Sequence, residues 1–403
     1  MTKTSNPTSS LIIIGVLFFI FGFVTWVNSI LIAFFKNTFQ LTNFQSYLVT
    51  FAFFISYTVM AIPASALLKR TGFKRGMSLG LAVMAVGTLL FVPAAKSASY
   101  EVFLVGLFVI GLGLTVLQTA SNPYVSILGP IESAAKRISF MGIANKTAGI
   151  ISQFVFGGLL LTGVSSGDAA TDLSRVISPY LMLTGVLLLL AVLITFSSLP
   201  DINEEEANVD SSEGASDRTS VWQFPSLVLG VIALFLYVGV EVIAGDTIIN
   251  YGISQGIPET QAKNFTTFTL YGMLVGYILG ILAIPKYITQ QKALQWSAVL
   301  GILFSLAAVL TNGYTSVLFI ALLGLANAIM WPAIFPLAIT GLGRFTKIGS
   351  ALLIMGIAGG ALLPLLYGKL ADGMGTREAY WVLLPCYAFI AYYAVAGYKR
   401  RAW

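Results

Sequence analysis

From Leu11 to Phe35 no residue is charged. A helix over that stretch, rising 1.5 Å per residue, crosses the ~30 Å hydrocarbon core of a bilayer. Predominantly apolar stretches of comparable length occur twelve times, near 11–35, 46–68, 75–95, 101–126, 138–162, 177–199, 225–250, 262–285, 293–311, 315–341, 348–368 and 379–398. Within a bilayer every backbone N–H and C=O must find its partner inside the segment, so each stretch reads as a helix. Only 9% of the residues are charged, against about 25% in soluble proteins, so an ordinary soluble surface is excluded. The expected fold class is an all-α membrane protein with twelve transmembrane helices. The polar stretch 201–222, rich in Glu, Asp and Ser, separates six spans from six. It reads as a cytoplasmic linker between an N-terminal half, 1–200, and a C-terminal half, 223–403.

Lys and Arg set the expected orientation. Of the 22, 15 fall on the side of the termini, 6 on the other side, and Lys146 inside a span. Both termini are therefore expected in the cytoplasm, with the chain in a bacterial inner membrane. The basic residues sit in short loops between spans, which argues against a nucleic-acid partner. The sequence has no histidine, which excludes histidine metal sites, triads and proton relays. It has one cysteine, Cys386, so no intramolecular disulfide is possible. No cofactor and no structural metal are expected, and nothing calls for an oligomer, so a monomer in lipid is the expected unit. No nucleophile–base pair and no soluble catalytic domain supports the reading of a membrane enzyme.

Polar side chains inside spans carry the functional signal, because each unsatisfied one costs several kcal/mol in hydrocarbon. Leu117–Tyr124 places Gln118, Thr119, Ser121, Asn122, Pro123 and Tyr124 in an apolar run. Gln118 and Asn122 are four apart and share a helical face; Pro123 removes a backbone donor and favours a bend. The alternative is helix-packing glue. Asn28, Asn145, Asn250 and Asn327 add amides, which donate and accept as sugar hydroxyls do. Trp26, Tyr271 and Trp331 are candidate stacking partners for a sugar ring, or packing residues and interfacial anchors.

Two carboxylates fall well inside spans, Glu241 and Asp246. They are about 140° apart on an ideal helix and share a face only if the chain unwinds, as Gly245 permits. Glu241 reads as a ligand for sugar hydroxyls or a cation, or as a carboxylate satisfied by a neighbouring helix. Asp246 belongs with it in a cation-coupling set, or reaches the outer interface. Lys146 lies about 13 Å of helix beyond Arg137. It snorkels toward water, or it lines a cavity beside Asn145, where a coupling cation would otherwise sit. A Lys146–Glu241 pair would bridge the halves and depend on conformation.

The halves look like repeats. Met141-Gly142-Ile143-Ala144 recurs as Met355-Gly356-Ile357-Ala358, six spans on, with Gly129 and Gly343 each twelve residues upstream. Gln118 precedes Pro123 by five residues, as Asn327 precedes Pro332. Repeated halves with a site between them are a transporter arrangement.

Four motifs carry a family resemblance. Lys69-Arg70-Thr71-Gly72-Phe73-Lys74-Arg75-Gly76 resembles the basic loop of the major facilitator superfamily. Leu117–Tyr124 with Leu128–Arg137, Phe23–Ser29, and Tyr237–Val242 resemble the bacterial glucose/galactose porters of its fucose–galactose–glucose symporter family. The resemblance covers nearly the whole chain. It implies that family's fold, a small sugar as partner, and a coupling cation. Fucose–proton symporters of the family carry acids where Ser29 and Gln118 stand here, so their proton site is not carried over. Some glucose/galactose porters resembling this chain use sodium. The expectation is a secondary active hexose importer, sodium-coupled, with Asn28, Gln118, Asn122, Asn145, Glu241, Asn250, Tyr271, Asn327 and Trp331 at the sugar and Glu241 and Asp246 at the cation. The alternatives are a proton-coupled symporter, or a passive facilitator of mannose, fucose or N-acetylglucosamine.

Overall fold

The computed structural model describes residues 7–127, 134–161, 169–197, 199, 219–284 and 286–400. Most of the linker, Gly129, and the side chains of Asn122, Pro123 and Tyr124 lie outside the described residues. Twelve helical spans are described, and their boundaries follow the apolar stretches closely. In chain order, α1 joins Pro7–Trp26 to Asn28–Thr38, and α2 and α3 are the arms 48–71 and 73–96. Then come α4 (Tyr100–Ile127), α5 (Ala134–Leu160) and α6 (Ala169–Phe196). In the second half, α7 joins Pro225–Asp246 to Ile248–Ser254, α8 is Phe265–Ala283 and α9 is Gln290–Leu310. The chain continues through α10 (Gly313–Asn327 and Met330–Ile339), α11 (Thr346–Met355 and Gly359–Met374) and α12 (Leu383–Val395).

The basic loop is hardly a loop. Hydrogen bonding runs on from α2 into α3, and only Gly72, at φ 74° and ψ 168°, turns the chain back. That left-handed geometry suits glycine and strains other residues. Gly111 meets Phe53 and Ser56 on α2, and Gly113 meets Gly80 and Met84 on α3. Both arms therefore lie along the same level of α4, as an antiparallel hairpin. Lys74 Nζ donates to the Ser197 carbonyl at 2.7 Å, tying the turn to the end of α6.

The first helix of each half is broken at mid-depth. In α1 the break falls at Val27, which strands the Trp26 carbonyl in a place where no water would replace its helical partner. Ser29 Oγ donates to it at 3.1 Å, and Gln153 Nε2 of α5 does so as well. In α7 the break falls at Thr247, whose Oγ1 donates to the Ile243 carbonyl at 2.7 Å. The Gly245 and Ala244 carbonyls accept from Thr266 Oγ1 and Thr269 Oγ1 of α8 at 2.8 and 3.3 Å. Hydroxyls of a neighbouring helix thus satisfy the backbone where the helix opens.

The two halves meet along α2 and α11, and along α5 and α8. At the end away from the N-terminus they are joined by hydrogen bonds. Asp372, near the end of α11, accepts from the backbone N–H of Asn43 and Phe44, both at 2.9 Å, and from Asn43 Nδ2 at 2.8 Å. Asn37 Nδ2 donates to Glu259 Oε1 at 3.1 Å. These contacts form a latch across the seam between halves.

Candidate functional site

On the N-terminal side of that latch lies a cavity of about 200 Å³. Ligand pockets in general run to ~300–1,000 Å³, so this one suits a small ligand. The broken helices face each other across it. Trp26, at the break in α1, lies between two glycines, Gly149 of α5 and Gly245 of α7. A Cβ at either would collide with the indole, so a close approach of both halves requires glycine at both places. Trp26 Nε1 donates to Asn145 Oδ1 at 3.4 Å. Lys146 Nζ lies over the indole, 4.4 Å from the ring centroid.

Lys146 does not snorkel. Its Nζ bonds Glu241 Oε1 at 3.0 Å, with side-chain exposures of only 9% and 13%. The ion pair therefore spans the seam, from α5 in one half to α7 in the other. Tyr237 and Tyr277 flank Glu241. A cation-binding cage about Glu241 is not the arrangement found here, because an ammonium group already stands beside it. Asp246 also lines the cavity, is 3% exposed, and accepts from Thr50 Oγ1 at 3.5 Å. α7 stays helical through Asp246 and breaks only at Thr247, yet both carboxylates reach the cavity.

Of the expected sugar-site residues, Gln118, Asn145, Glu241 and Trp331 line the cavity. Four do not. Tyr271 is 46% exposed on the outer surface of α8, whereas Tyr277, six residues on, faces inward. Asn327 is fully buried within its own half, where its Oδ1 accepts from Tyr387 at 2.9 Å. Asn28 is 1% exposed, packed behind the break in α1 with neither amide atom partnered. Asn250 is 5% exposed, one turn beyond Asp246 and off the cavity wall. Sequence reasoning missed Tyr57, Tyr237 and Tyr277. Tyr237 had a legible signal, since it stands four residues before Glu241 and shares its face.

The cavity joins aromatic faces (Phe18, Phe21, Trp26, Phe54, Trp331) to a small polar set (Gln118, Asn145, Lys146, Glu241), while Asp246 stands at its wall, held by Thr50 of α2. That suits a ligand with both hydroxyls and an apolar face. No cluster of three or more acidic or thiol ligands that would hold a metal exists among the described residues. Two six-helix halves about a central polar cavity, with broken helices pointing into it, define a secondary transporter rather than an enzyme.

Comparison with known proteins agrees. Residues 14–356 match the model of the Major Facilitator Superfamily. The chain is 39% identical to the glucose/galactose transporter of Brucella abortus biovar 1 (strain 9-941), over 99% of this chain and 97% of that one. It is 31% identical to the L-fucose-proton symporter of Escherichia coli (strain K12), over 96% and 92%. Among solved structures, the transporter FucP in the outward conformation superposes with a TM-score of 0.73 at 29% identity, covering 95% of this chain and 97% of that one. The D-xylose-proton symporter, at TM-score 0.76 and 13% identity over 97% and 98%, shares the fold alone. The chain belongs to the major facilitator superfamily, beside the glucose/galactose and fucose transporters that it resembles.

Proposed function

We propose that this protein imports a hexose of the glucose/galactose class by alternating access, with both termini in the cytoplasm of a bacterial cell and the latch on the outer face. The observation that carries the reading is the cavity itself, where amides and a bridged ion pair face aromatic rings across the seam of two halves. Hydroxyls suit the first and a pyranose face suits the second. Relatives named for glucose and galactose, matched end to end, support the substrate class.

Import against a gradient needs a coupling ion. Sodium is the first choice, because the two positions where fucose–proton relatives are expected to carry acids cannot titrate here. Ser29 Oγ is held by hydrogen bonds to Trp26 O and Gln153 Oε1, both at 3.1 Å. Gln118 is an amide. Proton coupling is the second reading, favoured by the relatives named L-fucose-proton symporters.

The test is counterflow of labelled glucose, galactose, mannose, fucose and N-acetylglucosamine in proteoliposomes without any ion gradient. Exchange of glucose or galactose in preference to the rest is expected. No exchange of any hexose would end the reading. Gln118→Ala is expected to weaken sugar binding by about 1–3 kcal/mol, the cost of leaving a buried hydroxyl unpaired. Unchanged affinity in the folded variant would remove Gln118 from the site.

A further inference from the structure

Glu241 and Asp246 share a helix and a cavity, but their surroundings differ in kind. Glu241 has its counter-ion in Lys146. Asp246 is more deeply buried, at 3% exposure, and among the described residues no basic side chain lies within ion-pair distance of it. Its hydrogen-bond partner is the Thr50 hydroxyl, at a long 3.5 Å. A lone carboxylate at such a depth is expensive, and it is kept neutral by a bound cation or a proton.

The hydroxyls beside Asp246 come from the opposite half. Thr50 belongs to α2, and Tyr47, one turn before it, is an electrostatic neighbour of Asp246 and Asn250. Asn250 stands one turn beyond Asp246, is 5% exposed, and faces Tyr47 across the seam. The second segment of α1, which Asn28 opens, packs on both segments of α7. Glu241 is the other charged group acting on Asp246, and Lys146 is committed to that residue. Asp246 stands at the cavity wall, and Thr50 and Tyr47 lie on its latch side, outside the cavity lining.

We propose that Asp246, with the Thr50 hydroxyl, binds the monovalent coupling cation, and that Lys146 serves as a built-in counter-ion for Glu241. The cation site would then be separate from the sugar-binding polar set. Because Thr50 and Asp246 come from opposite halves, the site is complete only while the latch side is closed. Cation binding is thereby linked to conformation through its differential affinity for the two states. The inference rests on the transport reading above, and its test is chosen so that the two fail separately.

The experiment compares wild type and Asp246→Asn in proteoliposomes. Counterflow without a gradient reports sugar exchange alone. Accumulation is then driven by an inward sodium gradient and, separately, by an inward proton gradient. Wild type is expected to accumulate sugar under one of the two, which names the ion. Asp246→Asn is expected to keep counterflow and to lose accumulation, reaching only equal concentrations on both sides. Accumulation retained by Asp246→Asn overturns the proposal, as does wild-type accumulation under neither gradient. Loss of counterflow in folded Asp246→Asn also overturns it, by making Asp246 part of the sugar site. Absent wild-type counterflow would instead defeat the transport reading. Thr50→Val provides the second measurement should Asp246→Asn fail to fold. It is expected to raise the cation concentration for half-maximal accumulation several-fold with counterflow unchanged, and an unaltered cation dependence would overturn the assignment.

Discussion

Lys146→Met alone is expected to destabilise the protein more than the double change Lys146→Met with Glu241→Gln. The single variant leaves the Glu241 carboxylate uncompensated at 13% side-chain exposure in a membrane core. Breaking one member of a buried pair costs about 3–5 kcal/mol, whereas replacing both by uncharged groups of similar size is often neutral. Glu241→Gln alone leaves the ammonium group without a counter-ion instead, with relief from the amide oxygen and the Trp26 ring. Apparent melting temperatures in detergent for the four proteins give the coupling energy by a double-mutant cycle. Additive effects would show that the 3.0 Å contact stabilises nothing. Transport is a separate readout. All three variants are expected to bind sugar poorly, including the double variant with recovered stability, because the pair faces the cavity.

The second large effect is expected at the latch. Asp372 accepts three hydrogen bonds from the opposite half. In this exposed setting each is worth about 1 kcal/mol, and losing ~3 kcal/mol shifts a two-state equilibrium by over 100-fold. Asp372→Ala is thus expected to populate the state open at the latch end, with the Asn37–Glu259 and Thr50–Asp246 bonds and side-chain packing left to oppose opening. Spin labels on cysteines introduced at Lys96 and Tyr314, exposed residues near that end of each half, measure the separation. The native Cys386 is buried and its thiol donates to the Val382 carbonyl, so it does not compete for label. A distance distribution identical to wild type would refute the latch.

The spans were legible because apolar length alone specifies them in a bilayer. Which face of each span turns inward was only partly legible. Tyr271 and Tyr277 both lie on α8, six residues apart, and an apolar helix packed on one side and facing lipid on the other shows little contrast between its faces. The sequence therefore could not choose between them. Gln118 and Asn327 occupy matching places in the repeat but not in the structure. α4 runs unbroken through Gln118, while α10 breaks just after Asn327, and the break leaves Asn327 facing Tyr387. The same divergence touches the repeated tetrapeptide. Met141–Ala144 lies within α5, whereas Gly356–Ala358 forms a 3-10 turn where Gly359 packs directly on the Phe235 backbone. The Lys146–Glu241 contact joins residues 95 apart. Its chemistry was readable, but that it forms in this conformation was not.

Among the described residues hydrogen bonds join the halves at the latch end and not at the opposite end, and this asymmetry has a consequence for apparent affinity. A ligand approaching from the latch side binds only the fraction of molecules that are open there, so its apparent affinity falls by that fraction. A ligand approaching from the other side meets the favoured state and pays no such penalty. With the latch on the outer face, as proposed, the protein is expected to look like a weak binder in uptake and a tight binder in efflux, though the cavity is the same. Under the coupling proposed above, the final concentration ratio is untouched, since the driving force on the ion sets it and the latch does not. Weakening Asp372 would bring the two apparent affinities together while leaving that ratio where it was.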